Sequence, residues 1–406
     1  MNTRNDILQL IEDEDVEFIR LQFTDIWGNL KNIAVTPGEI IRAIDNKFPI
    51  DSSALYDGMK KSDNELFLVP DLDSFVILPW RPQQGKVGKM TCDVVDADGN
   101  AVKISPRAIL KRVTGEATAL GYDFKINPEC EFFLFNTDEN GMPTVNSPEK
   151  AGYLDVGPVD FGENCRRDMV LNLEDMGFEI ESSYHEKAPA QHEIDFGAEE
   201  PLKCADDIMT FRFAVRSIAK RFGLYATFLP KPKTSAAGSG LCLNFTIYKD
   251  GKNIFSDGNN GKYFLSGILM HATGMCAVTN PIVNSYKRII GNFTGGESLA
   301  VIREAFGETK IKVKFPDSAS NPYLVIALLI KAGLDGIKNK TLVKDKHVNL
   351  PVNLDNALSV AENDAVVRDT LGEEFLTDYI NSKKIEWTEY MTEVSDWEIE
   401  KYLIKM

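Results

Sequence analysis

The chain has 406 residues, of which 43% are hydrophobic and 26% charged, and its formal net charge is −16. That is enough apolar material for a large core in two or three domains, and the acidic balance argues against nucleic acid or an anionic membrane as the main partner, since either selects a basic face. No long apolar run follows the opening MNTRNDILQL, and YLVIALLIKAGL is too short, with Lys331 inside it, to span a bilayer, so a cytoplasmic location is expected.

Six scattered cysteines with no CxxC pair read as reduced thiols rather than a disulfide framework or a zinc ribbon, and four histidines leave little for a His-rich metal site. In VEFIRLQFTDIWGNLKNIAV, Ile19, Leu21 and Phe23 alternate with Arg20, Gln22 and Thr24 before the turn signal Gly28-Asn29, which predicts a β-hairpin. A helix fits GEIIRAID, the apolar run DSFVILPW follows, and Asp98-Gly99 predicts one more hairpin turn. A small β-rich domain of residues 1–102 is therefore expected. Ser105-Pro106 then predicts a helix start, with Ser as cap and Pro at the first helical position. From there strands such as FEIESSYHE, ATFLPKP and IKVKFP alternate with helices such as DIMTFRFAVRSIAKRF and YLVIALLIKAGLDGI, a sheet covered by helices.

Chemistry enters at INPECEFFLF. Glu129 and Glu131 lie two apart in an apolar run, so a strand projects both carboxylates from one face, about 7 Å apart, and turns Cys130 and Phe132 the other way. SYHEKAPAQHEIDF adds Glu186, Glu193 and Asp195. A single Glu of this kind is more often a solvated face. Three acidic segments in apolar context instead point to a cation, and oxygen ligands suit Mg²⁺ or Mn²⁺, which escort phosphates. There is no Walker A motif, and GSG at 238–240 is by itself an ordinary turn signal. A lone Cys242 between leucines reads as a core residue, and His192 as a structural neighbour of Glu193.

Taken together, NPECEFFLF, YHEKAPAQHEIDF, FLPKP followed by GSG, NSYKR, and KFPDSASNPYL followed by AGLDGIKNK occur in the order and spacing of type I glutamine synthetases. The chain resembles that family over nearly its whole length, PDLDSFVILPWRP included. The resemblance implies an α+β protein: a β-grasp domain over 1–102, then a catalytic domain over 103–406 with an open-barrel antiparallel sheet covered by helices. It also implies a homo-oligomer, a dodecamer of two hexameric rings with sites between neighbouring subunits. In the family, ATP phosphorylates the γ-carboxylate of glutamate and ammonia displaces the phosphate, with two divalent ions neutralising charge.

Carried over residue by residue, the first-metal triad falls on Glu131, Glu186 and Glu193, and Glu129 on the second metal site. Glu181 matches an ATP-binding position, Arg288 the arginine that holds glutamate, and Arg303 a phosphate-facing arginine. Gly238 and Lys314 fall at substrate-contacting positions; Asp51 and Asp63 resemble the ammonium-binding pair. Departures cluster around the second metal. Of the Glu, His and Glu that the resemblance implies there, only Glu129 is kept: the family's GSG-x-His-x-His reads GSGLCLN, with Cys242 and Asn244 in place of the histidines, and the other Glu is Lys312, which reverses a charge. The flap carboxylate falls on Thr294, another phosphate-facing arginine on Ser298, the glutamate-gripping arginine on Lys314 with loss of bidentate geometry, and the asparagine before GSG on Ala237. The segment after AGLDGIKNK is short, so the tyrosine-bearing loop that some relatives adenylylate is expected to be absent.

Two functions follow. One is an ATP-dependent ligase joining glutamate or a related acid to ammonia or an amine through an acyl phosphate, with Lys312 paired to Glu129 in place of the second ion. The other is a catalytically silent paralogue, a nucleotide-binding or partner-binding sensor or scaffold. The C-terminal spacing of Trp387, Tyr390, Met391 and Val394 predicts a helix packing against the body or a neighbouring subunit.

Overall fold

The structure, a computed structural model, describes residues 2–56, 65–81, 84–255, 258–290, 293, 296–305, 307–343 and 348–406. Its strands are β1 Val16–Thr24, β2 Leu30–Val35, β3 Phe48–Ile50, β4 Leu66–Pro70, β5 Val76–Ile77, β6 Lys86–Val95, β7 Tyr122–Asn136, β8 Ile180–His185, β9 Gln191–Phe196, β10 Leu224–Thr227, β11 Leu241–Lys249, β12 Lys252–Asn253, β13 Ala300–Ala305 and β14 Glu308–Val313. They form two sheets.

The first sheet runs β2-β1-β6-β4-β3, with β5 also on β6. The expected hairpin is present: β1 and β2 pair antiparallel from Ile19 opposite Val35 to Thr24 opposite Leu30, and Ile19, Leu21 and Phe23 are buried. The turn expected at Asp98-Gly99 is present as well: Gly99 takes a positive φ, the Asp96 amide donates to the Asn100 carbonyl and the Val102 amide to the Val94 carbonyl, and Val95 bridges Ala101 antiparallel. Ser105 does cap the helix Pro106–Ala119, but its side chain donates and accepts nothing there.

The second sheet runs β13-β14-β11-β7-β9-β8, every pairing antiparallel, with β10 on β7 and β12 on β11. The stretch ATFLPKP is strand only as far as Thr227. One face of this sheet packs on helices. Phe132 of β7 meets Phe211 of the helix Pro201–Arg221 with ring centroids 6.0 Å apart, and Phe124 meets Phe264 of the helix Asn260–Thr279 at the same separation. The helix Pro322–Lys338 is buried continuously from Pro322 to Ile330, as an apolar-all-round sequence requires.

A buried guanidinium joins the first sheet to this layer. Arg107 donates to Asp93 of β6 and to Asp71, each at 2.6 Å, and to Asp206 of the helix Pro201–Arg221 at 2.9 Å. Three carboxylates around one arginine offset the cost of burying it and fix the sheets' relative placement. In the helix Glu373–Thr392, Trp387 packs on the core, whereas Tyr390 and Met391 are exposed and Val394 lies beyond the helix end. Among the described residues no helix is long and apolar enough to cross a membrane.

Candidate active site

Strand register builds the site. Directly opposed residues in an antiparallel pair share a face, with Cβ atoms about 5 Å apart. Glu131 stands opposite Glu193 and Glu129 opposite Asp195 across β7 and β9; Tyr184 is opposite Glu193 across β8 and β9. On the other side Cys242 stands opposite Glu129, Asn244 opposite Asn127, and Lys312 opposite Asn244. The face turned away from the helices is thus acidic on β7 and β9 and basic on β14, with Glu129 at the boundary.

On the acidic side Glu131 accepts from Gln191 Nε2 at 3.0 Å and from the Gly240 amide at 2.9 Å. Glu193 is buried and accepts from the Tyr184 hydroxyl at 2.7 Å. Burial raises Glu131 above the usual carboxylate range while Arg288 pulls it back and Glu186 and Glu129 push it up. Burial likewise raises Glu193, and Glu131 and Asp195 add repulsion. Asp195 takes the Ser182 hydroxyl at 2.5 Å on Oδ2, and its buried Oδ1 has no partner. Buried Glu186 accepts from the Lys187 amide.

On the basic side Glu129 is already neutralised. Lys312 Nζ pairs with its Oε2, while Arg303 Nη2 and Asn244 Nδ2 donate to Oε1 at 3.2 and 2.9 Å. Burial opposes the Lys312 ammonium, but Cys242 and Glu129 outweigh it and hold it above its ordinary value. Burial lowers Lys314, with Lys312 and Arg303 close by. Lys310, on the same face, donates to Asn127 Oδ1, and Asn127 donates to Glu181 at 2.6 Å.

Between the halves lies Arg288, which donates to the carbonyls of Phe315 and Lys314, each at 3.0 Å. It lies beside Glu131 because residue 240 is glycine: a Cβ there would come within 2.6 Å of Arg288 Nη2 and 3.7 Å of Glu131 Oε1. At Gly238 a Cβ would lie 2.4 Å from the Pro230 carbonyl, which the following amide of Ser239 uses.

The fold therefore gathers Glu129, Glu131, Glu186, Glu193, Gly238, Arg288, Arg303 and Lys314 from distant segments, with Glu181 at the rim. Asp51 is exposed in the first sheet's domain and receives the Ser53 amide. Asp63 and Thr294 lie outside the described residues. Sequence reading missed Gln191, Asn127, Lys310, Ser182 and Tyr184, although strand alternation carried the signal: the first three lie two residues before Glu193, Glu129 and Lys312.

Glu149, Asp160, His185 and His192 converge on the other side of β9, all buried. A protein cation is already present: Arg166 Nη1 donates to Asp160 at 2.8 Å and lies 2.7 Å from His192 Nδ1, and His185 pairs with Glu149 at 2.7 Å. A metal there would have to displace Arg166. The expected structural role of His192 agrees with its position.

Residues 15–97 match the β-grasp domain of glutamine synthetase and residues 103–402 its catalytic domain. The chain belongs to the glutamine synthetase family. It is 45% identical to a glutamine synthetase of Clostridium saccharobutylicum, covering 99% of both chains, and 41% identical to one of Staphylococcus aureus strain MW2, covering 99% of this chain and 98% of that one. Both alignments run over 438 residues, more than this chain contains, so each relative carries segments absent here. Among solved structures, ligand-free GmaS superposes with a TM-score of 0.88 at 28% identity over 98% of this chain and 99% of that one. A Plasmodium falciparum glutamine synthetase superposes at 0.89 with 22% identity over 99% of both, a likeness of fold. The expected α+β architecture, a β-grasp domain before a catalytic domain, is the one observed.

Proposed function

We propose that this member of a ligase family is an ATP-dependent ligase that joins glutamate, or a related acid, to ammonia or an amine through an acyl phosphate. The observation that carries the proposal is the acidic half of the sheet face. Burial drives Glu131, Glu193 and Asp195 above the carboxylate range, and neighbouring carboxylates add repulsion, Glu186 and Glu129 at Glu131, Glu131 and Asp195 at Glu193, and Glu129 at Asp195, a destabilising arrangement that a divalent cation relieves. The all-oxygen donor set and the unpartnered Asp195 oxygen fit Mg²⁺ or Mn²⁺. Glu131, Glu186 and Glu193 would hold it, and when bound it supplies charge neutralisation at a transferring phosphoryl group.

In this reading a carboxylate oxygen of the acid attacks the γ-phosphorus and ADP leaves; the amine nitrogen then attacks the acyl carbon, and phosphate leaves as the amine gives up a proton. Arg303 faces the phosphate, Glu181 the nucleotide, Arg288 and Lys314 the acid beside Gly238, and Asp51 with Asp63 the amine. Lys312, on Glu129, takes the place of the second ion, a fixed charge where relatives would need a bound one. The likeness to named glutamine synthetases over 99% of this chain supports this reading, a seam near residues 102 and 103, a cytoplasmic location and a ring-shaped homo-oligomer.

The test is phosphate release from ATP with Mg²⁺ or Mn²⁺, first with glutamate and ammonia and then with other acids and amines, using Glu131→Ala as blank. Release that needs both substrates and disappears in the variant establishes the ligase. No release across the panel, despite ATP binding, establishes the silent paralogue.

A further inference from the structure

A second polar site lies behind the sheet. A cavity of about 700 Å³ opens between the β1–β2 hairpin, the helix Pro201–Arg221 and the helix Glu373–Thr392. Three cations line it, Arg212, Arg216 and Lys383, and none of its described lining residues is Asp or Glu. In a chain of net charge −16 that composition is a local inversion. Volume and lining match a small-molecule pocket, in which apolar walls and a few polar groups share the recognition.

Among the described residues the two arginines are held without a carboxylate partner. Arg212 and Arg216 are one helical turn apart and share one platform, their guanidinium carbons 5.8 and 5.3 Å from the Phe228 ring centroid. Arg212 is 7% exposed; its Nη1 donates to the Ser320 carbonyl at 2.9 Å and its Nη2 is buried without a partner. Burial lowers Arg212 to about 10, with the neighbouring Arg216 adding to the depression. Asp317 acts on Arg212 only at a distance, since no ion pair joins them. Lys383 is paired with Glu386 and lies over the Trp27 ring at 5.1 Å. A buried guanidinium such as Arg212 with no counter-ion is costly, and an anion between it and the exposed Arg216 would lower that cost through charge-assisted hydrogen bonds.

We infer that this cavity binds a metabolite-sized organic anion, its carboxylate or phosphate at Arg212 and Arg216 and its flat or apolar body against Trp27, Phe213 and Phe228. Gln22 and Asn321 stand in the wall as further hydrogen-bonding groups. The site is separate from the carboxylate face but touches its support. Phe228 packs on Phe132 with centroids 6.0 Å apart, and Phe132 is the neighbour of Glu131 on β7. An occupant would therefore act as an effector through the back of the sheet, whatever reaction the front performs.

Calorimetric titration of the full-length protein in EDTA and low-chloride buffer tests this with benzoate and phenyl phosphate, probes that share a flat body and differ in the anionic head; benzyl alcohol is the neutral control. At least one anion is expected to bind, and benzyl alcohol at least tenfold more weakly. Arg216→Gln, at an exposed position that the core does not need, is expected to weaken the anion about tenfold or more, as loss of one charge-assisted contact implies. Glu131→Ala is expected to leave it unchanged, which separates this site from the carboxylate face. Absence of binding by both anions, equal binding by Arg216→Gln, or loss in Glu131→Ala would overturn the inference. So would an experimental structure of the assembled protein in which a neighbouring subunit's side chain fills the cavity.

Discussion

Glu129 and Glu131 sit two residues apart on one strand and project from one face, yet their surroundings are opposite. Glu129 has Lys312, Arg303 and Asn244 around it, so its charge is balanced by the protein. Glu131 faces Glu193 across the strand pair, and burial with repulsion raises both. The difference teaches where an ion is still needed. A fixed lysine does at Glu129 what a cation would have to do at Glu131, and it cannot dissociate.

The largest effect expected from breaking this contrast is on the acidic side. Glu131→Ala should cut acid-dependent and amine-dependent phosphate release at least about a hundredfold, the scale for loss of a charge-stabilising group, and should abolish any rise in melting temperature caused by Mn²⁺. Calorimetry against pH sharpens the same point. The folded pKa values of Glu131 and Glu193 lie above the ordinary carboxylate value of 4.5, so the folded state holds more protons than the unfolded one. Stability must then fall as pH rises through the window from that value to the raised ones. The fall should be clear in EDTA, shallower in saturating Mn²⁺, and smaller in Glu193→Gln, which should melt higher than the parent in EDTA at pH 8.

On the basic side Lys312→Ala leaves Glu129 with Arg303 and Asn244 alone, and denaturant unfolding should show a loss of about 1–3 kcal/mol. Lys312→Glu, which replaces the ammonium by a carboxylate beside Glu129, should raise the Mn²⁺ stoichiometry. The smallest effect is that of Asn244→Ala, about 1 kcal/mol for one hydrogen bond to a carboxylate whose cations remain.

Much of this was legible before any coordinates. Local periodicity was sufficient for the hairpin around Ile19, Leu21 and Phe23, and it placed Glu129 and Glu131 on one face with Cys130 and Phe132 buried on the other. Motif order supplied the family. What local pattern could not supply was partnership across long separations: Arg303 reaches Glu129 over 174 residues of chain, and Arg107 ties together Asp71, Asp93 and Asp206. The cavity behind the sheet was equally silent, because Arg212 and Arg216 read as the polar positions of an ordinary helix until tertiary packing closed the hairpin over them. Trp387 shows the reverse case. Its helical spacing was right, but Tyr390 and Met391 remain exposed, since spacing identifies a face without identifying what covers it.

The most direct test of the account is the number of divalent ions held per chain, measured by equilibrium binding of Mn²⁺ to the purified protein and to Glu131→Ala. One ion per chain, lost in the variant, is the predicted result: the acidic half needs a cation and Lys312 supplies the other. Two ions per chain, or one that survives Glu131→Ala, would contradict it.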